Sequence, residues 1–434
     1  MERSEQARVW GAYVVQERGR VPEFPPTGAV VESDGPLVRI HYGTHGTVDH
    51  RPLVTTGRRE LADLVRRQQE AFAARGEPVR WKVYGADPPL LAEELEAAGF
   101  IPDPQQSLLV SEFAAMPQGR RRGRVRSVVP DARIRELAAA GGPHARPLAE
   151  VEADGWAAYG RSGRGETVIL GGADRVLAVG WAGRAADSDF VVIGGLTGPC
   201  PELVAGFAPL ARKAYLMGRD APYCVAEAAG DLRTALSQAG FVELTTVRTY
   251  RWAPACEPAG TRPVREIRDG KGGGGLWQRL YDEFGFRPST RAFPGIDEPV
   301  PSVTWSLDVL YRPDRTVDDD RLDSCEAVVR GALRDLTRPG DLLSFLDWQH
   351  TGYAFDPHRV GGPGMPPWPG DAYPDGDYYL NVHPDLRFGT FGHPWEHTLC
   401  VWGEDLLAAV EGQLGTLLGV PLRRRDRGVP SAGA

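Results

Sequence analysis

The sequence predicts an α/β region of tandem mixed sheets flanked by helices, followed by an α+β region in which helices pack on an antiparallel sheet. Three observations carry that reading. Strand-like and helix-like hydrophobic periods alternate from residue 37 to residue 252. A helix running into Ala-Gly-Phe and then a strand occurs twice, at Ala98-Gly99-Phe100 and Ala239-Gly240-Phe241. A stretch rich in proline and glycine, 254–275, then precedes a segment of different composition.

The elements follow in order. Residues 37–42 (LVRIHY) read as a strand. Residues 58–75 read as a helix, because Leu61, Leu64, Val65, Gln68 and Phe72 recur at three- and four-residue intervals. Residues 79–84 alternate as a strand, and 88–98 form a helix with proline at its start and Gly99 after its end. A strand at 106–113 completes this half. The second half adds helices at 133–140 and 148–159 and a hairpin at 166–170 and 176–181. The apolar run 190–194 reads as a buried central strand. A helix at 201–217, a strand at 223–227, a helix at 231–239 and a strand at 241–252 follow. The expected boundaries are 1–117, 125–253, a linker at 254–275, 276–420 and a disordered tail at 421–434.

Composition narrows the class. Hydrophobic residues are 42% and charged residues 25% of the chain, ordinary for a soluble protein. No apolar run approaches the ~18–20 residues of a membrane span, and the start Met1-Glu2-Arg3-Ser4-Glu5 is polar, so no signal peptide is expected. Cys200, Cys224, Cys256, Cys325 and Cys400 show no CxxC spacing, which argues against a zinc ribbon and suits a cytoplasmic setting. The net charge of −8 lies wholly after residue 255, so neither nucleic acid nor a membrane is an expected partner there. The basic run 118–126 reads as a solvated connector.

The two helix–Gly-Phe–strand passages, Leu90 to Phe100 and Asp231 to Phe241, each have a strand before and after. This order resembles the C-terminal half of the GNAT acyl-CoA-dependent acetyltransferase superfamily. Residues 125–253 cover a whole GNAT-like unit and 1–117 a partial one. The resemblance implies acetyl-CoA as cofactor, its phosphates on the loop between the fourth strand and the third helix. Gly194, Gly195, Leu196, Thr197 and Gly198 match that place. The basic residue of the family pattern is missing, Pro199 and Pro201 remove donors, and Glu202 adds a negative charge. The first segment shows no phosphate-loop pattern. Leu95 and Leu236 stand where many members carry a tyrosine general acid. Glu227 is the one candidate general base. The expected function is N-acetyl transfer to an amine of a small molecule or protein. The alternative is a non-catalytic binding protein on a GNAT scaffold.

The C-terminal segment is dense in Trp, His and Asp. Strands are expected at 303–307, 342–348, 353–355, 378–382 and 399–402, with helices at 321–336 and 404–418. The motifs Leu346-Asp347-Trp348-Gln349-His350, Pro374-Asp375-Gly376-Asp377-Tyr378-Tyr379 and Phe391-Gly392-His393-Pro394-Trp395-Glu396 resemble an uncharacterised bacterial family, a domain of unknown function. Asp347, His350, Asp377, His393, Trp395 and Glu396 form the candidate site. Pro394 lies between His393 and His397, helical metal-ligand spacing is absent, and no metal is expected. Tyr281, Trp305, Tyr353, Tyr378, Tyr379 and Trp395 read as a recognition surface, and the acidic balance suits a basic protein or a cationic ligand.

Overall fold

The computed structural model describes residues 2–54, 57–115, 165–171, 176–197, 221–267, 275–314 and 316–426. The expected helices at 133–140, 148–159 and 201–217 and the basic run 118–126 lie outside them. The chain divides into two units, 1–261 and 262–434. No described helix is long and apolar enough to cross a membrane.

The first unit is a single mixed sheet. Its elements are α1 (Arg3–Gln16), β1 (Val30–Asp34), β2 (Leu37–His41), β3 (Gly46–His50), α2 (Arg58–Ala73), β4 (Val79–Tyr84), α3 (Pro89–Ala97), β5 (Ile101–Pro102) and β6 (Gln106–Glu112). The second half supplies β7 (Gly165–Gly171), β8 (Val176–Gly183), β9 (Phe190–Thr197), β10 (Tyr223–Ala228), α4 (Gly230–Gln238) and β11 (Val242–Trp252). The strand order is β1-β2-β3-β4-β11-β6-β10-β9-β8-β7, with β5 against β11. Read from either end, the order is the same in kind. β3 is parallel to β4 and β9 is parallel to β10, and the other pairings are antiparallel.

The two halves exchange their last strands. β6 belongs to the first half in sequence but pairs with β10, and β11 belongs to the second half but pairs with β4. The sequence repeat is real at the helix ends. Gly99 and Gly240 take φ of +85° and +93°. The N–H of Phe100 bonds to Leu95 C=O and that of Phe241 to Leu236 C=O, one capping motif used twice. A Cβ on Gly99 would meet nothing within 4 Å, and on Gly240 only ordinary contacts. Alanine at either place is therefore expected to cost about 1–2 kcal/mol through backbone strain alone. Equal losses in urea unfolding of Gly99→Ala and Gly240→Ala would bear this out, and no loss in either would refute it.

Both faces of the sheet are covered. Val79, Trp81 and Val83 point to a core with Leu61, Leu64, Val65 and Phe72 of α2 and Leu91 and Leu95 of α3. Tyr84, Leu108, Val110, Val225 and Val247 meet Val9 and Tyr13 of α1. The sequence pattern singled out no helix at α1, because only those two of its residues are buried.

The second unit is an antiparallel sheet. Its elements are β12 (Val264–Ile267), α5 (Leu276–Glu283), β13 (Ser302–Ser306), α6 (Asp319–Asp335), β14 (Leu343–Asp347), β15 (Gly352–Phe355), β16 (Tyr379–Val382), β17 (Gly389–His393), β18 (Thr398–Trp402), α7 (Glu404–Leu418) and β19 (Arg423–Arg425). The strand order is β12-β15-β14-β16-β17-β18-β13-β19. Val303, Trp305, Phe345 and Val401 pack against α6 and α7. Leu346, Leu380, Phe391 and Trp402 pack with Leu280 of α5. The stretch read as linker thus contains β12, and the stretch read as tail contains β19. β12 lies in a stretch whose prolines and glycines mask it, and β19 is three arginines with no apolar residue. The expected recognition surface is corrected too. Trp305 and Tyr378 are both 0% exposed, and they serve the core.

Candidate functional site

In the first unit each parallel pair parts partway along. β3 and β4 pair from Gly46↔Val79 to Val48↔Trp81. β9 and β10 pair from Phe190↔Tyr223 to Ile193↔Ala226. The next residues are Asp49 and Lys82 at one fork, Gly194 and Glu227 at the other. Lys82 stands opposite Thr249, and Glu227 opposite Leu108, which hold matching places after Gly240 and Gly99. Lys82 and Glu227 are thus counterparts in the two halves, and they bond to each other, Nζ to Oε1, at 2.6 Å. Both are about a third exposed, at 32% and 28%.

Two phenols stand with them. Tyr84 donates to Asp49 Oδ2 at 3.3 Å, and Tyr13 packs edge-on to Tyr84. Burial raises both phenols above their ordinary pKa, so both stay protonated. Burial pulls Lys82 down, but Glu227 and Asp49 outweigh it and hold the ammonium firmly protonated. Sequence reasoning nominated Glu227 and missed its lysine, because 145 residues separate the partners. It also missed Tyr13 and Tyr84, having looked for a tyrosine in the helices before Gly-Phe. Leu95 and Leu236 there are buried core residues.

The expected phosphate-loop residues fall differently from a loop. Gly194, Gly195, Leu196 and Thr197 are the end of β9, and Gly198 lies outside the described residues. A Cβ on Gly194 would come within 2.6 Å of the Trp181 indole, so packing alone requires that glycine. The first half has a feature the sequence reading did not assign. The chain leaves β3 and enters α2 at Gly57, followed by Arg58 and the exposed Arg59. Arg58 pairs with Glu93 and Glu94. An open cleft of about 570 Å³ lies where the ends of β3 and β4 part, lined by Pro52, Leu53, Ala86, Pro88 and the Arg18–Asp87 pair.

In the second unit the nominated residues form three groups. Asp347 ends β14 opposite Tyr379, and a left-handed Gln349, φ +68°, turns His350 back onto it. His350 Nδ1 lies 2.9 Å from Asp347 Oδ1 and 3.5 Å from Asp377 Oδ2. The hydrogen bond to Asp347 raises the His350 pKa. Burial raises that of Asp377. His393 stands apart from these, 0% exposed, among Phe293, Tyr378, Phe391 and Trp395. Its Nδ1 accepts the Glu396 N–H at 3.1 Å. Glu396 itself turns to Arg423, which also binds Glu298. An open cleft of about 840 Å³ runs beside the first group, lined by Asp347, His350, Tyr353, Trp368, Asp371 and Tyr379.

Comparison with known proteins follows the same division. A family described as a protein of unknown function (DUF2716) matches residues 272–407. The uncharacterised protein YxiI of Bacillus subtilis is 38% identical over 95 residues, 21% of this chain and 56% of that protein. The chain therefore spans little more than half the length of that relative. Among solved structures, a GCN5-related N-acetyltransferase from Kribbella flavida matches with 15% identity and a TM-score of 0.42, over 58% of this chain and 96% of that one. A tandem GNAT protein from the clavulanic acid biosynthesis pathway matches with 12% identity and a TM-score of 0.37, over 57% of this chain and 94% of that one.

Proposed function

We propose that residues 1–261 carry acyl-CoA-dependent N-acyl transfer to an amine, with the cofactor in the fork between β3 and β4. The observation that carries this reading is the cleft at the parting strand ends. Parting strands leave backbone donors and acceptors for an extended amide chain. At the start of α2 Arg58 is held by Glu93 and Glu94, and the exposed Arg59 offers the positive charge for phosphates. Asp87 in the cleft wall is neutralised by Arg18, so it does not repel an anion. These residues fit the cofactor. Acyl-CoA supplies a thioester whose acyl carbon an amine can attack.

The chain's own groups have distinct tasks. Tyr84 and Tyr13 hold their protons and are the donors available to a departing thiolate. Glu227 is the carboxylate that takes the amine's proton, and Lys82 fixes its position. A second reading keeps the scaffold and gives up catalysis. The Lys82–Glu227 bond favours it, because a cationic amine must displace Lys82 to reach the carboxylate.

Calorimetric titration of acetyl-CoA and CoA into the full chain separates these readings. The expected result is micromolar binding, weakened about tenfold in Arg59→Glu by loss of a charge-assisted phosphate contact. Binding that ignores Arg59→Glu would return the cofactor to the second fork, at Gly194 to Gly198. No heat at high micromolar concentration would leave the binding-protein reading.

A further inference from the structure

We propose that Asp347, His350 and Asp377 form a site for one divalent transition-metal cation, opening onto the cleft beside Trp368 and Tyr379. Their donor atoms all lie within 4.8 Å of one another. Two donors bound to one cation at about 2.1 Å, at angles between octahedral and tetrahedral, lie about 3.0–3.4 Å apart. The two separations from His350 Nδ1, 2.9 Å and 3.5 Å, bracket that range, and the two carboxylates lie within 4.8 Å of each other.

The carboxylates are also held in place. Asp377 Oδ1 accepts the Tyr378 N–H at 2.8 Å, which leaves Oδ2 turned to the imidazole. Asp347 is fixed by the β14–β16 ladder, and the turn through Gln349 returns His350 to it. Such outer contacts are what orient metal ligands. A proton on Nδ1 serves this arrangement less well than a cation. The one N–H reaches Asp347, while Asp377 Oδ2 at 3.5 Å is beyond a good hydrogen bond. A cation at the same point satisfies both carboxylates.

The donor set and the cleft choose the class of ion. One imidazole nitrogen with two carboxylate oxygens suits Zn²⁺, Mn²⁺ or Co²⁺ over Mg²⁺ or Ca²⁺. Three protein ligands leave coordination positions free, as in catalytic sites. Those positions face the cleft of about 840 Å³, whose aromatic walls Tyr353, Trp368 and Tyr379 provide room for a second ligand on the metal. The sequence spacing did not reveal this, because Asp377 comes from another strand's approach.

The test uses the full chain, stripped with chelator, loaded with Zn²⁺ and desalted, then assayed for metal by mass spectrometry. The wild type is expected to retain about one equivalent per chain. His350→Ala and Asp377→Asn are each expected to lower retention at least tenfold. Both are compared with His397→Ala, an exposed histidine outside the group, which is expected to retain the full equivalent. His350 is 64% exposed, so its variant keeps the fold. Co²⁺ loading is expected to give visible absorption bands in the wild type that His350→Ala lacks. Negligible retention by the wild type would overturn the proposal, and so would equal retention by His350→Ala. An ion pair alone would then explain the cluster.

Discussion

Asp87→Leu is expected to destabilise the first unit by about 3–5 kcal/mol, the cost of leaving a buried cation without its partner. Arg18 and Asp87 form an ion pair in which each side chain is only 2% exposed. The pair is tied into the backbone on both sides. Arg18 Nε donates to His50 C=O at 3.0 Å, and Asp87 Oδ2 accepts the Tyr84 N–H at 2.8 Å. The guanidinium also lies over the Tyr84 ring, 4.5 Å from its centre. Burial lowers the His50 pKa, so this imidazole is neutral and gives Asp87 no substitute cation. Removing the carboxylate therefore leaves a guanidinium that is only 2% exposed without its counter-charge. Arg18→Met is expected to cost a similar amount. The double variant Arg18→Met/Asp87→Leu is expected to cost far less than the two singles together, because no charge is then left buried. Denaturant unfolding of the three variants checks this. Single losses below about 1 kcal/mol would show that solvent reaches the pair.

Acid is expected to weaken the second unit through His393 by ~3 kcal/mol. Burial lowers its pKa to about 4, with Arg423 adding to the effect and Glu396 opposing it. The unfolded chain takes up this proton near the ordinary imidazole pKa of ~6.5. Between these two values the unfolded state binds a proton that the folded state refuses. The stabilisation is complete above the upper value and is lost as pH falls to the lower one. His383, also lowered by burial, contributes in the same direction, while His350, raised by Asp347, acts oppositely but is largely exposed. His393→Asn isolates the effect, since its amide oxygen can accept the Glu396 N–H in place of Nδ1. The wild type is expected to lose stability more steeply than this variant from pH 6.5 to 4. Parallel curves would refute the assignment.

Local pattern carried some elements fully and others not at all. Leu61, Leu64, Val65, Gln68 and Phe72, the residues that marked α2 in sequence, are its buried residues in the structure. Gly99 and Gly240 marked two helix ends, because only a residue without Cβ takes that turn cheaply. α1 escaped because the sheet buries just Val9 and Tyr13. β17 escaped because Gly389 and Gly392 interrupt its alternation. A Cβ on Gly389 would come within 2.6 Å of the Trp402 ring, and one on Gly392 within 2.8 Å of Ala372 O. A glycine demanded by close approach thus looks, in sequence, like a glycine that ends a strand.

By itself the sequence determined the two regions, their α/β and α+β classes, most strand and helix positions among the described residues, and the repeat within the first region. These depend on hydrophobic period and turn chemistry, which act over a few residues. Only the tertiary structure decided how the halves exchange β6 and β11, and with it the meeting of Lys82 with Glu227. It alone placed Asp377 beside Asp347 and His350, and set His393 apart from them. Strand pairing joins residues far apart in the chain, and its register follows from which faces the whole sheet buries. That information belongs to no single segment.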